Sequence, residues 1–298
     1  VIKTTSTLIR LLLTLVGLGA ATLGYAGTAT SILGLFYTGV DNSGNALANG
    51  TTDSHWSVSY ARVNGTGSTS SAYTGASYVV SSNYIDGAWV QNSSSYRWIT
   101  APGASTAATG GTTNIGGDYL PGNGTTGTNS AYFVYRLAFY IGGSTTGGTA
   151  VTNQVSISLT IAADDQYSVY VNPAAAPTVN NSGVISAGGT AASGSGTNAW
   201  NNTTSITLAN FGAGDNADFV VGTNYLYIVV ANTNSQTGTN SSTALNPSGL
   251  LVYQVGSAMT IDGKVVPEVG TILPVVAALG LFGWRLMRRK SKPPAAAS

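Results

Sequence analysis

There is no cysteine among the 298 residues of this chain. That excludes a disulfide framework, a thiolate metal site and a cysteine nucleophile. Histidine and glutamate are nearly absent too, represented by His55 and Glu268 alone. The side chains that most often serve as general base and as glycosidase acid are therefore each present once. Charge of both signs is scarce, at 7% of residues, against the ~25% usual in soluble domains. Between residues 27 and 265 there are four basic residues, Arg62, Arg97, Arg136 and Lys264, against nine aspartates, a balance of −5. A body of that sign has no basic patch to neutralise phosphates, which argues against a nucleic-acid partner. Long apolar runs are missing from the body and occur only at the two ends.

Glycine is abundant (39 residues), as are Ser, Thr and Asn, and 43% of the chain is hydrophobic, including 16 Tyr and 5 Trp. That is enough for a substantial core, with hydroxyls and amides in place of ions on the surface. The balance suits a secreted or surface β-protein better than a cytosolic enzyme.

The first end reads VIKTTSTLIRLLLTLVGLGAATLGYAG. Lys3 and Arg10 form a positive region, residues 11–23 an apolar one, and Gly24-Tyr25-Ala26 places small residues where a signal peptidase reads them. Residues 1–26 are expected to be a helical signal peptide cleaved after Ala26, the alternative being an uncleaved anchor. The last end reads VPEVGTILPVVAALGLFGWRLMRRK. An uncharged stretch there predicts a transmembrane helix at about 270–287, followed by a basic tail at 288–292. Arg285, Arg288, Arg289 and Lys290 favour the cytoplasmic side, which leaves the body outside, in agreement with the signal peptide. The plain alternative is an ordinary stop-transfer anchor.

The motif, apolar helix and basic end, in that order, resemble the PEP-CTERM sorting signal of Gram-negative bacteria. The motif residues are Val266, Pro267, Glu268, Val269 and Gly270, with Val269 where the pattern has a second proline. The resemblance implies that an exosortase recognises and cleaves this segment while the inner membrane holds the precursor. It also implies a mature protein at the cell surface or in an extracellular polysaccharide matrix. The chain then divides into 1–26, a body at 27–264 and a sorting signal at 265–298.

Short alternating runs recur through the body. In QVSISLTI, Val155, Ile157, Leu159 and Ile161 point one way and Ser156, Ser158 and Thr160 the other, as in a half-buried strand. Residues 55–62, 132–141, 166–172, 205–211, 224–232 and 249–255 also read as strands, and 224–232, apolar on both faces, as a central one. No body segment shows a 3.6-residue period. The long stretches 103–129 and 173–204 are almost all small or polar and read as surface excursions. The predicted fold is all-β: a jelly-roll-like β-sandwich with long Gly/Ser/Thr/Asn-rich loops, flanked by the signal helix and the transmembrane helix. The pieces LFYTGVDNSGNALANGTTDSHWSV, YRWI, YRLAFYIGG, SISLTIAADDQYSVYVN, FVVGTNYLYIVVANTN and NPSGLLVYQV also resemble, in order, a domain common in PEP-CTERM proteins. The likeness implies a β-sandwich and brings no catalytic residues.

Candidate chemistry is sparse. His55 lacks an accompanying G-x-S-x-G elbow and reads as a capping or pairing residue beside Trp56. Asp164 and Asp165, adjacent at a strand end, are the candidate Ca²⁺ ligands. Ca²⁺ takes six to eight oxygens, so the competing reading is a turn whose carboxylates bond local amides. Trp89 and Trp98 flank the polar loop QNSSSY and are the candidates for stacking on a sugar. The leading expectation is a non-enzymatic, exported surface or matrix protein with no cofactor beyond that Ca²⁺ candidate. Its partners are signal peptidase, exosortase, the inner membrane and extracellular polysaccharide. The alternatives are a lectin-like carbohydrate-binding module and, behind it, a glycan-active enzyme using aspartates.

Overall fold

Alternation at period two governs the body, and no helix occurs among the described residues of the computed structural model. Those residues are 27–63, 69–80, 85, 89–102, 130–144, 147–148, 150–164, 166–179, 185–188, 200–210, 217–233, 248–254 and 259–266. Among them no helix is long and apolar enough to cross a membrane. The expected signal helix (1–26), transmembrane helix (about 270–287) and basic tail (288–292) lie outside them.

The strands begin with β1 (Ala29–Leu33), β2 (Thr52–Val63), β3 (Thr69–Val79), β4 (Ile99–Thr100) and β5 (Ser130–Gly143). Next come β6 (Val155–Ala163), β7 (Gln166–Val171), β8 (Ala175–Val179), β9 (Ile185–Gly188) and β10 (Thr204–Ala209). The last are β11 (Gly222–Thr233), β12 (Leu250–Tyr253), β13 (Met259–Ile261) and β14 (Lys264–Val265). The seven runs that read as strands correspond to β2, β5, β6, β7, β10, β11 and β12. Of the others, β1, β4, β13 and β14 are only two to five residues long, and β3, β8 and β9 are hidden by composition. β3 reads TSSAYTGASYV, and the β8–β9 hairpin lies inside the 173–204 stretch expected to be a surface excursion. Their backbones are satisfied by neighbours that local propensity does not reveal.

Twelve strands form one antiparallel sheet in the order β14-β13-β6-β12-β4-β3-β2-β5-β11-β7, with β1 beside β5 and β10 beside β6. β8 and β9 form a separate ribbon. The sheet curls over itself. Inward residues of one arm, such as Ile157 and Ile161 of β6, share a single buried cluster with Trp56, Leu137 and Ile228 of the other arm. The two-residue strand β4 joins the arms, pairing with β3 on one side and β12 on the other. β11 is central as expected, flanked by β5 and β7, with Leu226, Ile228, Val229 and Val230 buried.

Asparagine amides extend the ladders where strands stop. Asn153 Oδ1 accepts from Ala29 N–H at 2.7 Å and its Nδ2 donates to Ala29 O at 2.9 Å, as a neighbouring strand would. Asn224, fully buried, accepts from Val220 N–H and donates to the carbonyls of Val220 and Gly222. It also accepts from Asn172 Nδ2 at 2.8 Å. Buried polar groups are costly unless bonded in this way.

β13 and β14 form a hairpin closed by Asp262-Gly263, with φ of 50° and 74°. Positive φ at both positions is the requirement of a type I′ turn, and Asp-Gly is a favoured pair for it. Asp262 also ties the hairpin down, accepting from Gln154 N–H at 3.0 Å and from Asn153 Nδ2 at 3.1 Å.

Candidate functional site

The residues singled out from sequence fall in different places. Of the sorting motif, Val266 is described: its N–H donates to Met259 O at 2.9 Å and its side chain packs on the main core. Pro267, Glu268, Val269, Gly270, Arg285, Arg288, Arg289 and Lys290 lie outside the described residues. At the opposite end, Gly27 N–H donates to Ala150 O at 3.2 Å and Gly27 O accepts from Thr152 N–H at 3.1 Å.

Trp89 and Trp98 require a correction. They are 7% and 0% exposed, with rings 4.4 Å apart, and form a second buried cluster with Val80, Ala162 and Leu251. Ala162 and Leu251 alternate with the inward Ile161 and Val252, so this cluster covers the outward face of β6 and β12. Gly249 permits the close approach, since a Cβ there would lie 3.0 Å from Trp98 Cε3. The Trp98 indole donates to Val90 O at 2.7 Å, and its backbone N–H donates to Asn92 Oδ1 at 2.9 Å. A packed and satisfied indole is core and leaves no face for a sugar.

Asp164 sits at a strand end as expected, but at a corner between the two arms. β6 and β7, on either side of it, pair with different partners. Its N–H donates to Gly249 O at 3.1 Å, and its carbonyl accepts from Ser248 Oγ at 3.3 Å. The side chain is buried at 5% exposure. Burial, aided by the nearby Asp164 carboxylate, pushes the Tyr135 phenol well above its ordinary value. Asp165 lies outside the described residues. Among the described residues, no three His, Asp or Glu side chains converge as a metal site.

His55 belongs to a loop clasp. Its ring stacks on Phe36 with centroids 3.6 Å apart, and its Nε2 lies 2.9 Å from Asn42 Oδ1. Nδ1 lies 3.5 Å from Oδ1 of Asp53. Asp53 is fully buried and accepts from the amides of Gly39, His55 and Trp56 across a bulge in β2. Asp41 closes the facing turn. The amide and side chain of Asn45 bond to it and lower its carboxyl below the usual range. Among the described residues no serine is hydrogen-bonded to the His55 ring. The arrangement positions a loop and offers no nucleophile.

The feature that the sequence does not flag is the outward face of β7, β11, β5 and β1. In register, Tyr170 faces Tyr227, Tyr227 faces Arg136, Tyr225 faces Ala138, and Tyr140 faces both Thr223 and Leu33. Tyr140 is 47% exposed, Tyr225 38% and Leu33 38%. The Arg136 guanidinium lies 5.4 Å from the Tyr225 ring centroid, within cation–π range. Tyr225 and Tyr227 are 6.4 Å apart. Further along the same face Val134 and Val229 are buried, and the β8–β9 ribbon packs there, with β8 against β2, β5 and β11. The face is thus buried at Val134 and Val229 and open at Tyr140 and Tyr225. Composition alone puts most of the aromatic side chains in the core. The signal that points outward is Tyr225 and Tyr227 alternating with Leu226 and Ile228.

By fold the chain is an all-β protein built on a curled antiparallel sheet. No protein-family model matches it, and no curated protein matches it.

Proposed function

We propose that this is a non-enzymatic, exported protein of a Gram-negative bacterium. An N-terminal signal peptide starts its export, and a C-terminal exosortase-type signal sorts it to the cell surface or extracellular matrix. In this reading the two arms of the sheet are the leaves of a jelly-roll-like sandwich, supported by the core that they share. The observation that carries the proposal is the position of the two residues that abut the signals. Gly27, just after the expected signal-peptidase site, is hydrogen-bonded to Ala150 and Thr152, in the segment that leads into β6. Val266, the first residue of the sorting motif, is hydrogen-bonded to β13 and packed on the core. A fold whose described residues reach from Gly27 to Val266 is what delivery of a single folded cargo between two processing signals requires. The sole histidine is engaged in a loop clasp, and the proposal assigns no catalytic residue.

Mass spectrometry of the mature protein from its own cells tests this. The expected N-terminus is Gly27, and the expected C-terminus lies just before Val266 or within the next few residues, without Arg288, Arg289 and Lys290. An intact basic end on all mature protein sinks the sorting reading and leaves a plain membrane anchor.

A further inference from the structure

We propose that the open half of the tyrosine face binds an acidic polysaccharide, a polymer of hexuronic acid, with Tyr225, Tyr227 and Tyr140 stacking on sugar rings and Arg136 taking a carboxylate. The side chains form a track and not a pocket. From Tyr170 on β7 the track passes Tyr227 and Tyr225 on β11 and ends at Tyr140 on β5 and Leu33 on β1. Strand spacing and rise make this diagonal roughly 20 Å long. A flat track of that length fits an extended polymer better than a small molecule enclosed in a cleft.

The chemistry of the track selects the polymer. A Tyr ring presents an apolar, electron-rich face that suits the C–H face of a pyranose, and a hydroxyl at its rim for the sugar's hydroxyls. Arg136 is the cation of this face, and among the described residues it forms no ion pair. The ring of Tyr225 holds its guanidinium over the track. A planar guanidinium engages a carboxylate through two parallel hydrogen bonds, which a neutral hexose cannot reproduce. The body carries −5 overall, so long-range attraction to a polyanion is absent. At physiological ionic strength such distant charges are screened beyond about 8 Å. Selectivity therefore rests on local contact at Arg136, an exposed ion pair that added salt should weaken.

Binding at this face is independent of the route of export, and processing of either end neither helps nor harms it. The experiment is isothermal titration of the full chain in mild detergent with oligogalacturonate, with maltohexaose as the neutral control. Oligogalacturonate should bind and maltohexaose should bind at least tenfold more weakly. Tyr225→Ala and Tyr140→Ala should each weaken oligogalacturonate about tenfold, and Arg136→Gln should erase the preference over maltohexaose. Val265→Ala, at an exposed apolar residue of β14, should change nothing. Circular dichroism confirms that each variant is folded; should Tyr225→Ala not fold, Tyr140→Ala carries the test. Several results would overturn the proposal. These are no binding by the folded wild type, equal affinity for both sugars, or full affinity in the folded tyrosine variants. Concentration-dependent self-association that Tyr225→Ala abolishes would also overturn it, by making a second copy the occupant.

Discussion

On β6 and β10 the outward side chains are hydroxyls, and on β5 and β11 they are tyrosines with an arginine. The first face is closed chemically. Ser158 Oγ lies 3.2 Å from Thr207 Oγ1, and Thr160 Oγ1 lies 3.2 Å from Ser205 Oγ. Each cross-strand pair satisfies itself, and beyond it the second core buries Ala162 and Leu251. The tyrosine face has no such lateral closure, and its rings project from the ladder with Arg136 above Tyr225. Two wet faces of one sheet thus differ in chemistry: one pairs its hydroxyls across the strands, the other presents exposed rings and a guanidinium. The proposed recognition belongs to the face whose rings stay exposed.

The largest effect that would break this comparison is at the covered end of the first face. Trp98→Ala should cost about 3–5 kcal/mol in urea unfolding; a loss under about 1 kcal/mol would mean that the second cluster is not a core. Next, Asn224 and Tyr225 are adjacent on β11 and point to opposite sides. Asn224→Ala strands buried backbone groups of Val220 and Gly222 and should cost about 3 kcal/mol. Tyr225→Ala, on the open side, should cost about 1 kcal/mol through the lost cation–π contact and partial burial. If the two prove equal, the tyrosine face is structural. The double change Ser158→Val with Thr207→Val should lie within about 0.5 kcal/mol of wild type, because both partners of an exposed pair leave together.

A last test compares the two sides of β5. Tyr135 faces inward, fully buried, and its phenol is raised above the ordinary 10.0. A folded-state value above the unfolded one means that the neutral phenol's contribution is complete below pH 10 and is lost as pH rises beyond it. Unfolding free energy measured against pH should therefore fall above about pH 10. With Tyr135→Phe this fall should be smaller. An identical alkaline slope in the two proteins would show that Tyr135 is not the group responsible.

Much of the fold is legible because period two is a local signal. QVSISLTI displays its buried side in the order of its residues alone, and Leu226-Tyr227-Ile228 belongs to a strand apolar enough to be central. Of the strands that escape such reading, β3 and the β8–β9 ribbon are rich in Ser, Thr, Ala and Gly, which carry little alternation to read, and β1, β4, β13 and β14 are only two to five residues long. For the candidate site the limit is different. Trp89 and Trp98 flank a polar loop, a position that suggests exposure, yet both are held inside by Ala162 and Leu251, far away in sequence. Asp164 does sit at a strand end, but its corner role depends on β6 and β7 joining different arms.

The amino-acid sequence by itself determined the all-β class, the absence of thiol chemistry and the alternation within the strands it marked. Only the tertiary structure decided what covers each side of a strand and where that cover stops. Alternation divides a strand into two faces without saying what lies over either. The second core covers Ala162 of β6 and Leu251 of β12, and β8 packs against β2, β5 and β11. Those layers come from distant segments whose burial is a long-range matter, and where they stop, Tyr140, Tyr225 and Arg136 are left open.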